Sequence, residues 1–192
     1  MKKRLLFLPM MLLLLTSCGG GQEESGADAL AVAIRGEYLA MTGYSLQAQV
    51  NADYGQRVYD FTLSVTWDGQ ETTVSIREPE MLAGVTARIT GEDGILEYED
   101  LSLETGFLDD DGLSPVSALP TLMEAARSQY IDGCSLTGGV LEVRCADPEE
   151  KPGTGQEITL WFDAQTHALT GGEISQDGRR VIACDVTEFT KT

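Results

Sequence analysis

Between Leu46 and Trp67 the chain changes polarity at almost every residue. Leu46, Ala48, Val50, Ala52 and Tyr54 alternate with Gln47, Gln49, Asn51 and Asp53, and after a short break Tyr59, Phe61, Leu63, Val65 and Trp67 alternate with Asp60, Thr62, Ser64 and Thr66. A period of two places every apolar side chain on one face of an extended strand, so both runs read as half-buried strands. A sheet with one apolar face cannot stay uncovered, and the rest of the chain must supply both neighbouring strands and a cover. Further strands are expected at Val74 and Ile76, at Val85, Ala87 and Ile89, at 95–99, at Leu141, Val143 and Cys145, at 158–163, near Leu169, and at Ile182, Cys184 and Val186. Turn signals at Asp68-Gly69, Asp93-Gly94, Gly138-Gly139 and Asp177-Gly178 favour tight hairpins, which makes neighbouring strands antiparallel. The expected total is nine or ten strands.

Two segments switch to helical spacing. Leu30, Ile34, Tyr38 and Met41 predict an amphipathic helix over 28–42, with Ser25 or Asp28 as its cap. Leu119, Leu122, Met123, Ala126 and Tyr130 predict a second helix that opens at Ser114-Pro115 and contains Pro120. Residues 147–155, with two prolines and two glycines, read as a loop. The fold class expected is mainly β (α+β): a curved antiparallel sheet forming an open half-barrel, covered by an N-terminal and a mid-chain helix.

The N-terminus sets the location. Lys2, Lys3 and Arg4 precede the apolar run 5–15, which is too short to span a bilayer at about 20 residues per helix and reads as a secretory signal. Leu15-Thr16-Ser17-Cys18 resembles the bacterial lipobox, which implies cleavage before Cys18 and acylation of that cysteine. The expected organisation is a signal peptide at 1–17, a lipidated Cys18 with a flexible tether to 27, and one domain at 28–192, exported and anchored to the outer face of the cytoplasmic membrane. Removing residues 1–17, which carry three cations and no acids, takes the formal net charge from -18 to about -21. Phosphate binding needs clustered Lys and Arg, so nucleic acid is excluded as a partner.

Catalytic readings are sparse. His167 is the sole histidine and sits in a probable turn; pairing it with Cys184 would give a Cys-His nucleophile, against the plainer reading of a solvated turn histidine. Glycine-flanked serine, H-E-x-x-H and S-x-x-K signatures are absent. Asp109, Asp110 and Asp111 lack the alternate carboxylates and distal Glu of an EF-hand loop, and Glu97, Glu99 and Glu104 match a strand's polar face as well as an acid and base pair. No metal or cofactor is expected. If Gly138-Gly139 is a two-residue turn, Cys134 lies opposite Val143 with Cys145 diagonal to it, leaving either buried thiols or a disulfide.

The segments Tyr54-Gly55-Gln56-Arg57, Arg77-Glu78-Pro79-Glu80, the proline-containing helix, Leu160-Trp161-Phe162-Asp163 and Asp177-Gly178-Arg179-Arg180 together resemble the LolA/LolB-type lipoprotein-carrier family, and more closely its lipid-anchored Gram-positive relatives, which include a spore-germination lipoprotein. The resemblance implies a half-barrel with a hydrophobic cavity, binding instead of catalysis, and two alternative occupants: an acyl chain or lipid in the cavity, or a cell-envelope protein such as a cell-wall enzyme that the module holds or activates. Cavity-lining candidates are Tyr59, Phe61, Leu63, Val65, Trp67, Leu122 and Met123. Met81 and Leu82 follow Pro79 in a connection that would normally be polar. They either fold back as core over the end of the sheet or, as the resemblance implies, project as a contact for a lipid or partner.

Overall fold

The computed structural model describes residues 21–91, 93–105, 113–151 and 153–192. Cys18, with the cleavage site before it, and Asp109, Asp110 and Asp111 lie outside them. Eleven strands form one sheet: β1 (Tyr44–Asp53), β2 (Val58–Trp67), β3 (Thr72–Glu78), β4 (Thr86–Thr90), β5 (Asp93–Tyr98), β6 (Leu101–Glu104), β7 (Ile131–Thr137), β8 (Val140–Ala146), β9 (Gln156–Asp163), β10 (Leu169–Gln176) and β11 (Arg179–Lys191). Their order is β6-β5-β4-β3-β2-β1-β11-β10-β9-β8-β7, with every pairing antiparallel. Strands β6 and β7 are the two edges, so the sheet does not close. Register shifts in five of the ladders, among them Gln47/Ala48 in β1 and Thr62/Leu63 in β2, bend the strands as β-bulges do and curl the sheet into a trough.

The alternation read between Leu46 and Trp67 holds in β1, where Leu46, Ala48, Val50 and Ala52 are all buried. In β2 it holds at Leu63 and Val65, while the Val58 end stands clear of the core. The strand missed in the sequence is β6, whose Leu-Ser-Leu-Glu is too short for a period to register and is exposed throughout. Asp93-Gly94 is not a turn: Thr90 pairs with Asp93, and the reversal falls before Asp93, with Gly91 at a φ of 59°. Asp177-Gly178 is a turn with both residues at positive φ, as a type I′ hairpin requires.

Two helices fill the trough. Helix α1 (Gly21–Ala40) begins within the segment expected to be a tether, where Gln and Glu are good helix formers, and its core face is led by Ala27, Ala31, Ile34 and Tyr38, with Leu30 only partly buried. Its last turn is fastened to the sheet. The buried Tyr38 ring meets Phe162 edge-on, stacks on Phe189 and donates its hydroxyl to the His167 carbonyl. Glu37 next to it bridges Lys191 and His167, and these two partners hold its carboxyl below the usual range.

Helix α2 (Pro115–Ser128) is capped by Ser114, whose Oγ accepts from the Ser117 N–H, and Pro115 occupies the first turn where a missing N–H costs nothing. It ends before Tyr130, which is exposed. The guanidinium of Arg35 in α1 donates to the Ala125 and Ala126 carbonyls in the last turn of α2, sharing the Ala125 carbonyl with the Gln129 N–H. Leu119, Leu122 and Met123 are fully buried against the sheet. The approach is close because β10 presents Gly172 beneath α2: a Cβ there would stand 2.9 Å from Leu122 Cδ1 and 3.0 Å from the Thr159 carbonyl. Gly172→Ala is therefore expected to lower the unfolding free energy by about 1–3 kcal/mol, read as a reduced urea midpoint at an unchanged slope.

Candidate functional site

The interior that a half-barrel could leave open is filled. Leu63 and Val65 from β2 and Leu122 from α2 belong to one packed core with Ala48, Leu160 and Ile174, and the void between α1 and the β7–β9 face is about 10 Å³. Of the remaining cavity candidates, Phe61 is half-buried and Tyr59 is exposed beside Tyr54 at the start of β2.

Trp67 and Met123 come together in a different place. They line a cleft of about 340 Å³ where the C-terminal half of α2 passes the far ends of β2 to β4, with Tyr44, Thr72, Ile89, Pro120 and Thr121 as its other walls and Gln156 of β9 reaching in from the opposite arm of the sheet. Arg127, in the last turn of α2, lays its guanidinium carbon 4.4 Å from the Trp67 ring centroid. Tyr44 is buried and tilted against Trp67 with centroids 5.6 Å apart, and burial raises its hydroxyl pKa well above the ordinary value. Nothing in the local pattern singles out Arg127, since a basic residue in a last helical turn is ordinary.

The opposite end of this half of the sheet exposes apolar side chains. A 3-10 turn, Glu80–Leu82, connects β3 to β4, and the β5–β6 turn lies beside it, since a Cβ on Gly84 would be 3.9 Å from the Tyr98 ring. Met81 is 82% and Leu101 74% exposed, and Leu82, Tyr98, Tyr54, Val58 and Tyr59 at the same strand ends are exposed as well. No residue of the 3-10 turn is buried, so folding back as core does not describe Met81 and Leu82. Strands β5 and β6 account for Leu103, also exposed, on the same face as Leu101. Acidic residues flank these side chains in sequence: Glu78, Glu80, Glu97, Glu99, Asp100 and Glu104.

The other candidates separate. His167 Nδ1 lies 2.6 Å from Glu37 and not beside Cys184, which is buried in β11, where burial pushes its thiol up to about 12 and away from nucleophilic use. Cys134 faces Val143 as the two-residue turn requires, and Cys134, Cys145 and Cys184 are free thiols. Glu97 stands opposite Ser102, Glu104 opposite Ile95, and Glu99 is in the turn, so no two of them are cross-strand partners. On the convex face a polar groove of about 760 Å³ runs between Asn51, Asp60, Arg77 and Glu78, with Arg77 donating to the Ser64 hydroxyl. No described helix is long and apolar enough to cross a membrane.

Exposure at the 3-10 turn and burial in β2 predict opposite responses to truncation. Met81→Ala should change the unfolding free energy by less than about 0.5 kcal/mol. Leu63→Ala should cost about 2–5 kcal/mol, and urea midpoints of the two variants compare them directly.

No family model matches the chain, and no curated protein matches its sequence. Solved structures do match in outline. An uncharacterized conserved protein from Thermus thermophilus is 12% identical over 86% of this chain and 88% of that one, with a TM-score of 0.49. A LolA superfamily protein from Nitrosomonas europaea is 13% identical over 85% and 92%, with a TM-score of 0.45. A chain of the CwlD amidase complex with the GerS lipoprotein from Clostridioides difficile is 14% identical over 86% and 92%, with a TM-score of 0.41. The fold is given by the chain's own topology, an unclosed antiparallel sheet wrapped on two helices.

Proposed function

We propose that this chain is a non-catalytic binding lipoprotein, held at the outer face of the cytoplasmic membrane through Cys18, that engages a cell-envelope protein through the apolar end of β1–β6. The observation that carries this reading is the contrast between a filled interior and the exposed Met81, Leu82, Tyr98 and Leu101 at one end of the sheet. Apolar side chains gathered at one place on a soluble surface mark interaction sites. The neighbouring Glu78, Glu80, Glu97, Glu99 and Asp100 give the patch an acidic rim, which favours a partner whose own apolar surface is rimmed by Lys and Arg and disfavours anionic lipid. Methionine suits such a contact because its unbranched thioether adapts to irregular apolar surfaces.

A photo-crosslinking amino acid placed at Met81 of the full chain, expressed in its own membranes, should yield protein adducts that Leu101→Asp removes and that weaken as salt rises, and one placed at Leu101 should yield adducts that Met81→Asp removes. Adducts to lipid alone would refute the partner reading. Cys18→Ser should leave an uncleaved precursor that incorporates no labelled fatty acid, and equal incorporation by the two forms would refute the anchor.

The second reading, a hydrophobic ligand in the half-barrel, is favoured by one feature, the cleft beside α2. Its volume of about 340 Å³ lies at the lower end of the range of about 300–1,000 Å³ typical of ligand pockets, and Trp67, Met123 and Ile89 give it apolar walls.

A further inference from the structure

The cleft beside α2 contains a cation whose Nε has no acceptor among the described residues. Arg127 Nε is buried and has no hydrogen-bond partner among the described residues, and none of their carboxylates forms an ion pair with its guanidinium. Buried N–H groups are nearly always satisfied, and an arginine in a last helical turn would ordinarily find a carbonyl or a carboxylate. The acid that could have served is Glu124, one turn earlier and also in the cleft wall, but its Oε1 accepts from the Ser128 hydroxyl at 2.6 Å. Trp67 holds the guanidinium carbon over its ring without supplying an acceptor, because a ring face attracts the cation but takes no directed N–H bond of ordinary strength.

The remaining walls sort into two kinds. Ile89, Met123 and Pro120 are apolar, while Thr72 and the buried Tyr44 bring hydroxyls to the same space. A planar guanidinium pairs best with a carboxylate or phosphate, through two parallel N–H bonds, and an aromatic and aliphatic wall suits a short apolar body. We infer that this cleft binds a small anionic amphiphile, with its carboxylate or phosphate head on Arg127 and its apolar body against Trp67, Ile89 and Met123. The inference rests on the ligand reading of the cleft and adds the charge and size of the ligand. Glu124 opposes it: a carboxylate in the wall repels an anion, so the charge of Glu124 should set the affinity from the other direction.

The test uses the full chain carrying Trp161→Phe in phosphatidylcholine nanodiscs, so that Trp67 is the sole tryptophan reporting by fluorescence, with octanoate and octanol as probes of equal chain length. Octanoate should shift the emission and bind about tenfold or more tightly than octanol, as a charge-assisted bond to arginine implies. Arg127→Met should abolish that preference, and Glu124→Gln should tighten octanoate without affecting octanol. The second change has the opposite sign to a loss of folding, so a destabilised Arg127→Met variant cannot imitate the result. Replacing the disc lipid by phosphatidylglycerol separates sources: competition with octanoate identifies a lipid headgroup, and its absence identifies a free amphiphile. Equal affinity for octanoate and octanol would overturn the anionic inference while leaving an apolar ligand in place. Failure of both probes to perturb Trp67 would overturn the ligand reading itself.

Discussion

The seating of α2 in the trough of the sheet governs the rest of the structure. One curved sheet of eleven strands has one apolar face, and that face is stable only when it is removed from water. Leu119, Leu122 and Met123 supply most of the cover from α2, and Gly172 lets the helix approach to the limit set by the strand backbone. Helix α1 completes it over the β7–β8 side. It is tied at two points, through Arg35 to the end of α2 and through Tyr38 and Glu37 to β9, β11 and the turn before β10. A helix pinned in this way stabilises the curvature as well as the core, because the bulged strands bend around it.

Close seating has a consequence for function. A half-barrel whose helices stood off the sheet would enclose a cavity, whereas here the concave centre is occupied by side chains from both layers. Two places that the helices do not cover leave space or exposed apolar surface. One such place is the cleft at the end of α2, where a helical arginine and a strand tryptophan meet. The other is the end of β1–β6 near the 3-10 turn, where nothing described covers Met81 or Leu101. The two lie at opposite ends of the same strands, so a ligand at one and a partner at the other would not exclude each other.

Charge acts on both places in different ways. The chain is strongly acidic overall, and at the exposed end carboxylates flank the apolar side chains in sequence, which by charge favours a basic surface over an anionic one. In the cleft one cation and one carboxylate, Arg127 and Glu124, share the lining. Arg127 is partly desolvated, and its carboxylate neighbour is turned to Ser128, so a cation remains in a chain that has few to spare.

The sequence by itself determined the sheet, its one-sided character and the two helical insertions, because periods of two and 3.6 are written in consecutive residues and need no distant partner to be read. The same holds for the Cys134–Val143 register, which two glycines set locally, and for the opening of α2 at Ser114-Pro115. Tertiary structure decided what periodicity cannot encode. Which apolar residues would be buried depended on where the helices end: Leu63 is inside and Tyr59 outside although they share a strand face, since the cover stops between them. That Arg127 would lie on Trp67, sixty residues earlier in the chain, followed from the curl of the sheet around α2. That Met81 would project also depended on there being no element above it among the described residues. Local pattern specifies which surfaces need burial, and only the packed chain decides which of them receive it.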